Sequence, residues 1–120
     1  MTQTVSGILF DVGGVLVNSS GVDAMSRLLG TEPKHDELYA RWLQSPSVVA
    51  HETGKIDVET FAVGVIEDLD LPVAPDRFLR GFSNWPNKLL PGAQGLLRDI
   101  PGRYLVAALS NTSHCHWEKI

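Results

Sequence analysis

Cysteine is almost missing from this sequence. Cys115 stands alone among 120 residues, so no disulfide can form within the chain. A lone thiol fits a reducing compartment, and a cytoplasmic protein is expected. Long apolar runs are missing as well. None approaches the ~20 residues of a bilayer-spanning helix, and no membrane partner is expected. The opening residues, MTQTVSG, hold no basic cluster ahead of an apolar segment, so no secretory signal is predicted. Positive charge is in deficit: 10 Lys and Arg face 14 Asp and Glu, a net charge of −4. With no basic patch, nucleic acid is a poor candidate partner. Internal repeats, low-complexity segments and long polar linkers are also lacking, and the length suits one domain.

What is present begins with ILFDVGGVLV, residues 8 to 17. An apolar, partly β-branched run from Val5 to Phe10 predicts a short buried strand, closed by a turn that starts at Asp11. From 18 to 86 the patterns are helical and no strand is predicted. Asn18, Ser19 and Ser20 offer caps to a helix with Val22, Met25 and Leu29 on one face, stopped by Gly30. Pro33 opens a second helix, with Leu38, Tyr39, Trp42 and Leu43 inward and a Glu37–Arg41 pair outward. A short helix ends at Gly54. Asp57 caps the next, where Val58, Phe61, Val65 and Leu69 recur at helical spacing until Pro72 and Pro75 break it. Phe78, Leu79 and Phe82 mark another helix, up to the turn NWPN. Pro91 starts one more. Then YLVAALSNT repeats the opening pattern: an apolar strand, 104 to 109, delivers polar residues at its end. Two such strands separated by helices predict a parallel pair with a right-handed crossover. Ligands of such sheets bind beyond the carboxyl ends of the strands, and Asp11 and Ser110 both sit there.

Asp11 has two readings from its neighbours. It is a strand-end aspartate that caps its turn, or it is a chemical group. For the second, Gly13 and Gly14 carry no side chains, so their N–H groups can approach an anion closely. A carboxylate beside a phosphate needs a cation to offset repulsion, and magnesium, bound by oxygen ligands, would serve. A carboxylate can also attack phosphorus as a covalent nucleophile. Ser110 and Asn111 form either an ordinary strand-to-helix loop, with Thr112 or Ser113 as the helix cap, or a phosphate contact through hydroxyl and N–H donors. His114 and His116 flank Cys115, but residues two apart do not share a helix face and no second ligand cluster exists. The three tryptophans read as packing residues.

In family order, these motifs resemble the haloacid dehalogenase (HAD)-like hydrolase superfamily. FDVGGVLVNS resembles its first motif, a strand ending Asp-x-Asp-Gly. HETGKIDVETF resembles part of the helical cap that follows this motif in some members. LLPGAQGLLRDI resembles the helix before the second motif, and YLVAALSNT the second motif itself. The resemblance implies an α/β fold: a HAD-like parallel Rossmannoid sheet with only its first two strands in this chain, and an α-helical cap insertion. It divides the chain into a core of 1–17 and 87–120 and a cap of 18–86. It implies a magnesium-dependent phosphatase of small phosphorylated metabolites, with Asp11 as nucleophile. Asp11 and the carbonyl of Gly13 would hold magnesium, while Gly14, Ser110 and Asn111 would bind phosphate.

Two departures from the family pattern are present. Position 13, where the family phosphatases place a second aspartate as general acid and base, is glycine. The later cation and acidic metal ligands have no counterpart before residue 120. The sequence therefore predicts a chain truncated after the second motif, weak or inactive alone, with an open sheet edge that an oligomeric partner could cover. A degenerate, non-catalytic HAD-like module is the alternative. FDVGGV also resembles the phosphate loop of sugar kinases, which should lead into the second strand of a hairpin.

Overall fold

The computed structural model describes residues 3–19, 21–30 and 35–119. Ser20 and Pro33, expected at helix starts, lie outside the described residues. Strand β1 (Gly7–Phe10) leads through a turn to β2 (Val17–Ser19). Five helices follow: α1 (Gly21–Leu29), α2 (His35–Gln44), α3 (Pro46–Glu52), α4 (Val58–Leu69) and α5 (Pro75–Ser83). Strand β3 (Pro86–Leu89), helix α6 (Ala93–Asp99), strand β4 (Leu105–Ala108) and helix α7 (His114–Trp117) complete the order.

The expected parallel pair is present. Gly7 faces Leu105 and Phe10 faces Ala108. The ladder reaches beyond both strands: Leu105 N–H donates to the Ser6 carbonyl at 3.0 Å, and Leu109 N–H to the Phe10 carbonyl at 2.8 Å. The absence of strands between 18 and 86 is corrected. β2 pairs antiparallel with β3, Val17 opposite Leu89 and Asn18 opposite Lys88, with an irregular step before Ser19 meets Pro86. Strands of three and four residues, VNS and PNKL, carry no readable alternation. Their pairing exists only because the helices between them bring distant residues together. Pro86 is tolerated because it opens a strand and needs no ladder N–H.

The principal core is helical. Met25, Leu38, Val48, Phe61, Val65, Leu69, Phe78 and Phe82 are buried in one cluster with Trp85. A second, small cluster of Leu16, Val17 and Ala93 lies under the turn after β1. The radius of gyration, 17.2 Å, exceeds the roughly 14 Å of a compact domain of this length, in keeping with two separate clusters. On α2 the expected inward face is narrower. Leu38 is buried and Trp42 joins the core, but Tyr39 and Leu43 are exposed. Arg41 turns to the end of α4, where its guanidinium donates to the Leu69 carbonyl at 2.8 Å. That carbonyl belongs to the last helical turn and needs such a donor.

Hydrogen bonds at the helix starts fix the helical unit. Asp57 caps α4, accepting the Thr60 N–H at 2.8 Å, and the Thr60 side chain, followed by this N–H, holds its carboxyl below the usual range. Ser45, buried at the head of α3, donates to Asp68 at 2.6 Å and accepts from the Val48 N–H at 3.2 Å. Helix α4 approaches α3 at Gly64. A methyl group there would lie 2.9 Å from Ser47 Cβ and closer still to its Oγ. Gly64→Ala is therefore expected to lose stability, by about 1–3 kcal/mol of overpacking, although alanine favours helix by about 1 kcal/mol. Urea unfolding of the variant would measure the sign.

The parallel strands are bare by comparison. Leu9 is 63% exposed, Leu105 76% and Leu109 68%. Among the described residues β1 pairs with β4 alone, so each strand keeps one unpaired edge. Purely parallel sheets in folded proteins are covered on both faces.

Candidate active site

Asp11 is the first residue beyond β1. Across the ladder lies Leu109, held by its bond to Phe10, and Ser110 follows. Leu9, Asp11, Leu109, Ser110 and Asn111 line one open cleft of about 590 Å³ at the carboxyl edge of the sheet. Asp11 and Ser110, 99 residues apart in number, are thereby neighbours.

The turn after Asp11 is tightly bonded. The Val12 carbonyl accepts from Val15 at 3.2 Å, Leu16 at 2.9 Å and Val17 at 3.0 Å. Gly14 has φ +75°, a left-handed backbone that suits glycine. Its N–H donates to the Val17 carbonyl at 2.9 Å. The sequence assigned that N–H to an anion; the structure spends it inside the turn. The Gly13 N–H takes no part in these bonds. One Asp11 oxygen, Oδ1, accepts the Val12 N–H at 2.8 Å, which steers the carboxylate and leaves Oδ2 open. Asp11 itself is exposed to solvent.

Asn111 has a second position that the sequence did not reveal. It also lines a cavity of about 650 Å³ bounded by Trp42, His51, Phe61, Phe82, Trp85 and His116. His51 carries no signal in sequence, where a single histidine on a helix looks like any other polar residue. Its ring stacks on Phe61, centroids 4.3 Å apart. Burial lowers its pKa, with Glu52 pulling the other way. The His116 ring lies 4.2 Å from Phe82, and its Nε2 is 2.6 Å from the Phe82 carbonyl. A carbonyl only accepts, so Nε2 carries the proton. Burial lowers the His116 pKa too, the carbonyl bond opposes this, and His51 adds to the lowering. His114 also borders this cavity, but its Nε2 lies 3.4 Å from Glu118. Among the described residues no group of three or more His, Cys, Asp or Glu is placed to hold a metal. No described helix is long and apolar enough to cross a membrane.

No protein-family model and no curated protein sequence matches the chain. Solved structures do. A HAD family enzyme of Bacteroides thetaiotaomicron, BT-2542, superposes with a TM-score of 0.64 at 22% identity, covering 97% of this chain. This chain has a HAD-like fold. It spans 58% of the length of that enzyme. The wild-type enzyme in complex with magnesium and inorganic phosphate matches with a TM-score of 0.63 at 21% identity, over 96% of this chain and 57% of that one. An aspartate-to-alanine mutant of it, also with magnesium and phosphate, matches with a TM-score of 0.61 at 22% identity. The α/β class and the parallel β1–β4 pair of the HAD-like fold agree with the sequence expectation.

Proposed function

We propose a HAD-like hydrolase of small phosphate monoesters, using Asp11 as nucleophile and magnesium as cofactor. The observation that carries this is the meeting of Asp11 and Ser110 in one cleft at the carboxyl edge of a parallel pair. The like-folded enzyme that binds magnesium and phosphate supports it. The core and cap division at residues 17–18 and 86–87 belongs to the same proposal, with the β2–β3 ribbon at its junction.

The residues fit a hard cation. The exposed Asp11 carboxylate supplies an oxygen donor at the cleft, and the Gly13 carbonyl, two residues on, is the second oxygen this reading assigns to the metal. Magnesium is commonly held by one or two carboxylates, with water and substrate phosphate completing its shell. When bound, it would neutralise charge between the carboxylate and the phosphate. In the chain's own chemistry, the free Asp11 Oδ2 attacks phosphorus and the bond to the leaving oxygen breaks. The departing alkoxide takes a proton from water, since Gly13 has none to give. Water then attacks the phosphoaspartate at phosphorus, releasing phosphate and restoring the carboxylate. Ser110 donates its hydroxyl to a phosphoryl oxygen throughout.

The kinase alternative loses its support here, because β2 pairs with β3 and forms no hairpin with β1. The non-catalytic module remains the second reading, favoured by Gly13 and by Asp11 as the single carboxylate lining the cleft among the described residues. p-Nitrophenyl phosphate separates the two, because its leaving group departs without a proton. With magnesium, slow nitrophenolate release or a phosphoryl adduct in the intact mass is expected, and chelation should abolish it. Neither product in the presence of magnesium would leave the binding module.

A further inference from the structure

We propose that the cavity bounded by α3, α4 and the 111–116 segment is a ligand pocket for an aromatic or heteroaromatic ring that carries no negative charge. Its volume of about 650 Å³ lies within the roughly 300–1,000 Å³ of small-molecule sites. Such sites are mostly apolar and aromatic with a few convergent polar groups. Here Trp42, Phe61, Phe82 and Trp85 supply the apolar wall, and His51 and His116 the polar one. Trp42 and Trp85 also pack in the core, their rings 5.1 Å apart, so the wall is rigid. Phe61, with His51 stacked on it, and Phe82 are buried behind this wall, so the half-buried Trp42 offers the accessible ring, and a flat ligand gains from an offset or edge contact with it.

Charge narrows the ligand further. Among the described residues no Lys or Arg lines the cavity, whereas Glu52, Asp57 and Glu59 do. Asp57 is committed to its helix, but its charge remains. An anionic substituent would meet those carboxylates, while burial lowers the pKa of His51 and His116 and so works against a positive charge on either, and His114 lies against Glu118. A neutral ring meets no such penalty.

Asn111 lines both this cavity and the Asp11–Ser110 cleft, so the two spaces share a wall. A phosphate monoester seated on Ser110 would extend its alcohol part past Asn111 into the aromatic cavity. This joining of the two ends rests on the phosphatase reading; the ring site itself does not. The substrate class is then an aryl or arylalkyl monophosphate, not a bisphosphate or a bare sugar phosphate.

The test separates the two. A Trp117→Phe background removes the exposed tryptophan outside the cavity, leaving Trp42 and Trp85 as reporters. Benzyl alcohol, a neutral ring without phosphate, is expected to change their emission saturably. Benzoate should bind about tenfold or more weakly, the scale of one charge or ring contact. Thr112→Arg, at an exposed wall position, should abolish the response, with circular dichroism confirming the fold. Ser19→Arg repeats the block from another wall. No saturable change, an equal response to benzoate, or a response that survives both arginines overturns the ring site. The phosphate end is read with benzyl phosphate against glycerol 3-phosphate, whose leaving alcohols are both poor: a KM about tenfold lower for the benzyl ester is expected. Ring binding without magnesium-dependent release of nitrophenolate from p-nitrophenyl phosphate would refute the phosphatase reading and leave the ring site standing.

Discussion

Asp11→Asn is expected to abolish phosphoryl transfer, a loss of about 10⁴–10⁶-fold, the scale on which removal of a covalent nucleophile acts. The replacement is close to isosteric. An asparagine Oδ1 can still accept the Val12 N–H that Asp11 now accepts at 2.8 Å, so the turn keeps its shape. What disappears is the charge and the nucleophilic oxygen. An amide oxygen does not displace an alkoxide from phosphorus at a useful rate. Phosphate binding should survive, because one negative charge near the anion has been removed. The measurement is magnesium-dependent release of nitrophenolate beside a phosphate-binding titration and a thermal melt. Unaltered melting with lost turnover identifies a chemical role. Undiminished turnover, with the intact mass excluding reversion to aspartate, would remove Asp11 from the chemistry and return it to its other role as the cap of a turn.

How much of this was legible depends on where the signal lies along the chain. Asp57 at the head of α4 and the spacing of Phe61, Val65 and Leu69 are local features, and each has its expected place. The β1–β4 pair was legible because each strand is an apolar run that ends on polar residues. The β2–β3 ribbon was not: its pairing is set by the closure of five helices, and neither strand has a pattern of its own. Tyr39 and Leu43 were misplaced because periodicity gives a face but not its width. That width is set by how many neighbours α2 meets. At the site, chain order gave Asp11 and Ser110 their common edge. The destination of the Gly14 N–H was hidden, since a glycine pair is equally compatible with a free anion nest and an internally bonded turn. His51 and His116 lie on helices far apart in sequence and share a cavity only through tertiary packing.

Gly13→Asp is expected to accelerate hydrolysis of esters with poor leaving groups by about 10²–10⁴-fold, the usual contribution of a general acid–base group. The family resemblance places an acid–base carboxyl at this position, two residues beyond the nucleophile. The structure shows that the position has room for one. A Cβ at Gly13 would meet no atom within 4 Å. The left-handed glycines are Gly14, Gly30, Gly54 and Gly92, so residue 13 has a backbone open to any L-residue. Its N–H takes no part in the bonds of the turn, which should therefore survive the change. The added carboxyl would sit near the Asp11 charge, which raises its pKa and helps it hold a proton for the leaving oxygen. Selectivity among esters distinguishes this role from a general change in the site. Benzyl phosphate and glycerol 3-phosphate, which leave as alkoxides unless protonated, should gain the full factor. p-Nitrophenyl phosphate, which needs no proton, should gain little. The pH–rate profile for the alkyl esters should acquire an alkaline limb as the new acid ionises. Gly14→Asp serves as the control: φ +75° there makes the side chain strained, and stability should fall with no gain in rate. Equal acceleration of all three esters, or of none, would show that position 13 does not face the leaving group.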